Sequence, residues 1–289
     1  MVAHERAAEN SMKPADEKPD VTEASAVYTA VVLAGSRRAN DPVAALFDQQ
    51  YKALVPIAGT TMILRVINAL ALADSIRDIV VVFDDRDELF RLCPELDEIS
   101  KRKRVSVVPC GPTICGSIAG AIERSGESWP YMVTTADHAL LTSEMVDRFC
   151  SRALGSCDVA VGLVEKAYLD ATYPNSKRTY LPFRGNKYSG SNLFAFLDVE
   201  ALKAISFWKR VEQERKNPWK LFAAFGWGSL LGFLLKRFTL EQAFERASKR
   251  LGVVAKAITM PYAEAAIDVD SAKDYAQVSE ILAKRTDTE

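Results

Sequence analysis

The sequence predicts an α/β fold in three layers: a mixed, mostly parallel sheet with helices on both faces. Three observations carry that prediction. Short apolar, β-branched runs alternate with helix-spaced segments at regular intervals, and alternation of that kind builds a mostly parallel sheet. The runs 28–33 and 79–83 are almost wholly apolar, the pattern of strands buried inside a sheet. Several helical segments open on capping residues, Thr142, Thr239 and Ser271 among them.

In order, 28–33 (YTAVVL) is a buried strand that stops at Ala34-Gly35. Residues 39–50 are polar and irregular, and 60–73 carry apolar residues at helical spacing. Strands follow at 79–83 and 105–108, a helix at 114–124 and a fourth strand at 131–134. Thr142 caps a helix over 143–153, with Glu144 in its first turn. Residues 159–164 and 193–196 are further strands, and 205–217 is a charged helix. Thr239 and Gln242 stand at capping-box spacing before a helix that ends at Gly252. A strand over 253–260 follows, and Ser271 with Asp274 opens the last helix, to about residue 284. The expected organisation is a disordered tail over 1–26 and a single domain over 27–289, in which 200–252 is a helical insertion or lid.

Composition excludes several classes. With 289 residues, 48% hydrophobic and 26% charged, the chain has ample material for a core. Lys plus Arg is 37 and Asp plus Glu 38, a net charge of −1, so no nucleic-acid partner is expected. The five Cys form no C-x-x-C pair and read as reduced intracellular thiols. Only His4 and His138 are present, which excludes a His-rich zinc site and leaves carboxylates as metal ligands, a set suited to Mg²⁺ or Mn²⁺. The polar N-terminus lacks the apolar core of a secretory signal, so a cytoplasmic location is expected. Residues 221–235 contain no charge, but the stretch is shorter than the about 18 residues of a spanning helix. Two readings of it stand: a core helix or helix pair broken by Gly226 and Gly228, or a peripheral membrane or lipid contact through 219–237. The second draws on Trp219, Trp227, Lys220, Lys236 and Arg237.

Three constellations carry chemistry. The first is Leu33-Ala34-Gly35-Ser36-Arg37-Arg38, with Lys52 beyond it in Lys52-Ala53-Leu54-Val55-Pro56-Ile57-Ala58-Gly59. A Gly after a strand lets backbone N–H groups approach an anion, and the guanidinium groups of Arg37 and Arg38 match phosphate oxygens. Neither the P-loop nor the dinucleotide glycine pattern is present. The second is Asp137, at the end of the 131–134 strand in Ala136-Asp137-His138, followed by Leu140-Leu141. That position lies at the carboxyl edge of the sheet, where open α/β folds bind ligands, and a carboxylate there can hold Mg²⁺. The third is Asp268-Val269-Asp270-Ser271 before the last helix. The two Asp alternate along an extended segment, so at most one is expected to meet Asp137 at a metal. Farther on, Lys166, Lys177, Arg178, Arg184 and Lys187 give a basic stretch broken by Tyr173, Tyr180 and Tyr188. Within that half, Arg178, Lys187 and Asn192 are the candidates for holding a phosphorylated acceptor.

Taken in this order, Leu33-Ala34-Gly35-Ser36, Lys52 to Gly59, Ala136 to Leu141 and Asp268 to Asp274 resemble the nucleotidyltransferases of the GT-A type. That group includes the MobA-like NTP transferases and the cytidylyl- and guanylyltransferases of phosphorylated metabolites. The resemblance covers about 28–165 and 253–284. It implies that Leu33, Ala34, Gly35, Ser36, Arg37 and Arg38 line an NTP, with Lys52 and Arg38 offsetting charge at the reacting phosphates. It further implies that Asp137 with Asp270 or Asp268 holds Mg²⁺ (or Mn²⁺), and that Cys110, Gly111, Pro112, Thr113 and Ser117 stand where the base is read. Ser36 replaces a glycine of the usual pattern, and the loop to Lys52 is longer than usual. The implied activity is transfer of an NMP from an NTP to a phosphorylated sugar, polyol or headgroup precursor, with release of pyrophosphate. Two alternatives are a glycosyltransferase of the same fold that uses a nucleotide sugar, and a non-catalytic, membrane-associated nucleotide-binding protein. Phosphate attack needs no general base, in keeping with the lack of a Ser/His or Cys/His pair. His138 is expected to be a packed neighbour.

Overall fold

In a computed structural model the described residues are 27–35, 41–213 and 237–286. In chain order they form β1 (Tyr28–Leu33), α1 (Pro42–Ala45), β2 (Pro56–Ile57), β3 (Thr60–Thr61), α2 (Met62–Leu72), β4 (Ile76–Val82), α3 (Arg86–Leu92), α4 (Leu96–Ser100) and β5 (Arg104–Val108). Then come α5 (Ile114–Arg124), β6 (Tyr131–Thr135), α6 (Ser143–Ala153), β7 (Val159–Glu165), α7 (Lys166–Thr172), β8 (Leu181–Pro182) and β9 (Lys187–Phe196). The last elements are α8 (Leu202–Gln213), α9 (Leu240–Leu251), β10 (Ala255–Thr259) and α10 (Ala272–Thr286).

One eight-stranded sheet runs in the order β10-β7-β9-β6-β1-β4-β5, with β8 paired to β9. The strand β1 sits between β4 and β6, parallel to both. Being central, it buries both of its faces, which explains an apolar run without alternation. The exception to the parallel order is β9, antiparallel to β6 and to β7. On one face α2 and α6 bury Ile63, Ile67, Met145 and Phe149. On the other, Ile118 and Ile122 of α5 pack with Ala204 and Ile205 of α8. Those two cores around one sheet are the predicted three layers.

The caps agree in detail with the sequence. Thr142 accepts from the Met145 amide, Thr239 and Gln242 form a full capping box, and Gly252 ends α9 at φ 70°. At the last helix, the Ser271 hydroxyl accepts from the Asp274 amide. Several boundaries differ, that of β4 among them, which begins at Ile76 instead of 79. The irregular stretch 39–50 contains α1, where Asp41 accepts from the Val43 and Ala44 amides and Pro42 follows the cap. That pairing of an Asp cap with Pro is a helix start signal on its own. The strand β9 begins at Lys187 instead of 193, because Tyr188, Ser189 and Gly190 pair with β7 although they lack an apolar pattern. The helix expected over 205–217 begins earlier, at Leu202, and 214–217 lie outside the described residues. The tail 1–26 and the apolar run 221–235 also lie outside them. Among the described residues, no helix is long and apolar enough to cross a membrane.

Candidate active site

The strands β1, β4 and β6 end side by side, and a cleft opens at their carboxyl edge. Two backbone bonds extend the edge: Ala34 N–H donates to Val82 at 3.0 Å, and Ala136 N–H to Leu33 at 3.0 Å. Leu33, Ala34 and Gly35 form one wall, and Cys110 to Thr113 with Ser117 form another. Lys52, Asp137, Asn192, Asp268 and Asp270 line the cleft as well. Ser36, Arg37 and Arg38 lie outside the described residues.

A backbone bond joins two of the constellations. Val269 N–H donates to the Asp137 carbonyl at 3.2 Å, which fixes Asp268 and Asp270 beside the end of β6. Lys52 comes from a short helical turn over 52–54 after a buried Tyr51. Its Nζ lies 2.7 Å from Asp137 Oδ2 and 2.6 Å from Asp270 Oδ1. Burial alone would lower the Lys52 pKa. The charge and hydrogen bond of Asp137, then those of Asp270, outweigh it and raise the pKa, so the ammonium stays charged. The other oxygen of Asp137 accepts from the Thr135 hydroxyl at 2.5 Å.

The second aspartate of the pair is tied differently. Asp268 accepts from Arg178 at 2.6 Å through Oδ1 and from the Asn192 amide at 2.9 Å through Oδ2. Burial, then the charges of Asp270 and Asp137, raise its pKa against the pull of Asn192 and Arg178. Asn192 reaches the cleft from inside β9 at φ 50°, a left-handed conformation uncommon for a side-chain residue. The shift in the β7–β9 register opposite it supplies that bend.

The two other acceptor candidates stand elsewhere. Arg178 is enclosed, with its guanidinium forked between Asp268 and Asp274, so it is a strut behind the cleft and not an open anion contact. Lys187 is exposed at the start of β9, opposite Pro182, and does not line the cleft. Asp41 and Thr135, neither of them among the residues expected at the site, do line it. The Asp41-Pro42 start signal marks the first, whereas Thr135 carries no sequence signal.

Gly35 faces the opposite wall closely. A Cβ on it would stand 2.1 Å from Cys110 Sγ. Gly35→Ala is therefore expected to cost about 1–3 kcal/mol through overpacking. Adding Cys110→Ala should return most of that loss. Chemical denaturation of the single and double variants measures the coupling, and strict additivity would refute the contact.

His138 is fully enclosed beside the site. Burial lowers its pKa to about 4, against the opposing charge of Asp137. An unfolded chain takes up that proton near pH 6.5, so the folded chain loses stability as pH falls from about 6.5 to about 4. The full loss is about 3 kcal/mol. In His138→Asn the same pH titration of stability should be flatter by that amount. An unchanged slope would show that His138 is not held neutral.

A family model described as MobA-like NTP transferase domain matches residues 30–186. A solved structure titled a hypothetical transferase from Thermus thermophilus is 30% identical, with a TM-score of 0.70 over 86% of this chain and 99% of that one. Two others share the fold at low identity. A CMP:2-keto-3-deoxy-manno-octonic acid synthetase complexed with CTP is 13% identical, with a TM-score of 0.52 over 90% of this chain and 99% of that one. A 4-diphosphocytidyl-2C-methyl-D-erythritol synthase from Anaerococcus prevotii DSM 20548 is 12% identical, with a TM-score of 0.52 over 88% of this chain and 95% of that one. No curated protein matches the chain.

Proposed function

Since the chain belongs to the MobA-like NTP transferase family and is a nucleotidyltransferase, we propose that it moves an NMP from an NTP to a phosphorylated small-molecule acceptor and releases pyrophosphate. The single observation that carries the reading is the convergence of Asp137, Asp270 and Lys52 on one point of the sheet edge.

The residues fit Mg²⁺. Asp137 and Asp270 aim hard oxygen donors at the position of the Lys52 ammonium, which stands in for a cation. Asp137, Asp268, Asp270 and Asp274 carry four negative charges here against the positive charges of Lys52 and Arg178. Among the described residues, no group of three His, Cys, Asp or Glu side chains could hold a metal by itself. Phosphate oxygens of the substrate would complete the ligand set, as is usual for this ion. When bound, Mg²⁺ would offset charge on the NTP phosphates.

The chain's own part is positioning and charge. Gly35 offers backbone to the triphosphate, and the sequence that follows it, Ser36-Arg37-Arg38, supplies donors and charges suited to phosphate oxygens. Lys52 turns from its carboxylates to the α-phosphate as the acceptor oxygen attacks. A bond forms from that oxygen to the α-phosphorus, the bond to the β-phosphate bridging oxygen breaks, and pyrophosphate leaves. Gly111, Pro112, Thr113 and Ser117 receive the base, and Asn192 faces the acceptor. In this reading 27–289 act as one domain into which 200–252 is inserted, and the reaction is cytoplasmic, where NTPs are made.

The test is a pyrophosphate-release screen with the four NTPs, Mg²⁺ and a panel of phosphorylated sugars and polyols. One NTP–acceptor pair should turn over. In Lys52→Ala its kcat should fall about 10²-fold. The Mg²⁺ concentration for half-maximal rate should fall as well, because the variant removes a cation that competes for Asp137 and Asp270. Full turnover in Lys52→Ala would refute the site, and silence of the wild-type chain across the panel would refute the reaction.

A further inference from the structure

The nucleotide wall of the cleft is held by a residue from outside the matched family region. The loop Cys110 to Thr113 leads into α5 and folds back on its first turn: Gly111 N–H donates to the Ser117 hydroxyl at 3.0 Å. A Cβ on Gly111 would meet the Gly116 and Ser117 backbone at 2.6 Å, so the loop moves only with that turn. The first amides of any helix lack partners inside the helix. Here Gly116 N–H is taken by the Thr113 hydroxyl at 3.0 Å, and Ser117 N–H by the Thr113 carbonyl at 2.9 Å. The two amides before them are taken from far away. Ile114 N–H donates to Glu212 Oε1 at 3.0 Å, and Cys115 N–H to Glu212 Oε2 at 3.3 Å.

Glu212 lies on α8, 98 residues on, and the family model ends at residue 186. One carboxylate therefore grips two successive amides and places negative charge at the positive end of α5. Burial would raise its pKa, but the amides of Ile114 and Cys115, with the Thr113 and Cys115 side chains, outweigh burial and lower it. The carboxylate is thus ionised at neutral pH. Behind it, Ala204 and Ile205 of α8 pack with Ile118 and Ala121 of α5, so the grip has a rigid base.

We infer that Glu212 is a positioning residue for the nucleotide: through the first turn of α5 it sets where the Cys110 to Ser117 wall stands, and so sets NTP affinity. The inference rests on the reading above that this wall receives the nucleotide. It also gives α8 a role in the site that the family region alone does not supply.

The test uses the full chain with Mg²⁺ and each of the four NTPs in turn. Equilibrium binding, pyrophosphate-release kinetics and amide hydrogen exchange over 110–117 are measured for wild type, Glu212→Gln and Glu212→Ala. Glutamine keeps one acceptor oxygen but turns an NH₂ toward the second amide. The expected result is a Kd and KM for NTP raised about tenfold in Glu212→Ala and by less in Glu212→Gln. In both, kcat should stay within about twofold, with faster exchange in the loop. Phe149→Leu, which loosens the opposite face of the sheet, should lower stability and leave KM unmoved. Faster exchange with unchanged NTP affinity would overturn the inference and leave Glu212 a structural tie. Wild-type chain that binds none of the NTPs would overturn the nucleotide reading first and the inference with it, and the wild-type arm separates that case from failure of Glu212 alone.

Discussion

Asp137→Asn is expected to lower kcat about 10³-fold while the chain stays folded. Asparagine keeps the shape of the side chain and can still accept the hydrogen bond from the Thr135 hydroxyl. The backbone link to Val269 is untouched, since it uses the Asp137 carbonyl. The variant loses charge at the centre of the edge. Asp137 is the less exposed of the two carboxylates that meet Lys52, with 20% of its side chain accessible against 67% for Asp270, so its charge is the less screened. Catalysis that works by charge placement falls steeply when a fixed charge is removed. The check is steady-state pyrophosphate release together with a Mg²⁺ titration. The apparent Mg²⁺ requirement should rise in Asp137→Asn, opposite to the change expected for Lys52→Ala. A kcat within tenfold of wild type would exclude Asp137 from the reaction centre.

The second large effect is on stability. Only 7% of the Arg178 side chain is accessible, and it pairs with Asp268 and with Asp274. Arg178→Met leaves both carboxylates without a cation, with Asp268 beside the charges of Asp270 and Asp137. Removing one partner of an enclosed ion pair costs about 3–5 kcal/mol. For a chain of this size the melting temperature should fall by roughly 10 °C. Arg178→Lys should recover only part, because an ammonium cannot fork between two carboxylates. Adding Asp274→Asn to Arg178→Met should also recover part, by removing one stranded charge. Differential scanning calorimetry on the four chains decides the matter. An Arg178→Met variant that melts with wild type would show that these carboxylates do not depend on the guanidinium.

Much of the framework was legible because its signals are local. The run 28–33 is apolar but for Thr29, since β1 has a strand on either side and helices above and below. Thr142, Thr239 and Gly252 act within one turn of their own helix, so spacing alone reveals them. That Asp137 meets one of Asp268 and Asp270 was legible, because Asp137 ends a strand at the carboxyl edge where ligands gather, but which of the two was not: the bond from Val269 N–H to the Asp137 carbonyl decides it. What escaped was decided between distant segments. Arg178 looked like an anion contact because a sequence shows its charge but not that Asp268 and Asp274 arrive 90 and 96 residues later to neutralise it. Lys187 shares only the charge: it is exposed where β9 pairs with β8 and does not line the cleft. The start of β9 was missed because Ser189 and Gly190 are strand residues only through their partners on β7. Glu212 had no local signal, since the amides it meets, those of Ile114 and Cys115, stand 98 and 97 residues away in the chain.

The place of β9 also bears on how the chain reaches this state. It fills the gap between β6 and β7 yet follows both in sequence. Until residue 196 is available, β6 and β7 each present an open edge, and open edges are templates for wrong pairing. Insertion of β9 between them is a long-range closure, which is slow because distant segments must meet before any contact rewards the search, and the other edge of β7 stays open until β10 pairs with it. Nascent chains halted before residue 196 should accordingly aggregate or engage chaperones more than chains halted after residue 259, where both edges of β7 are paired.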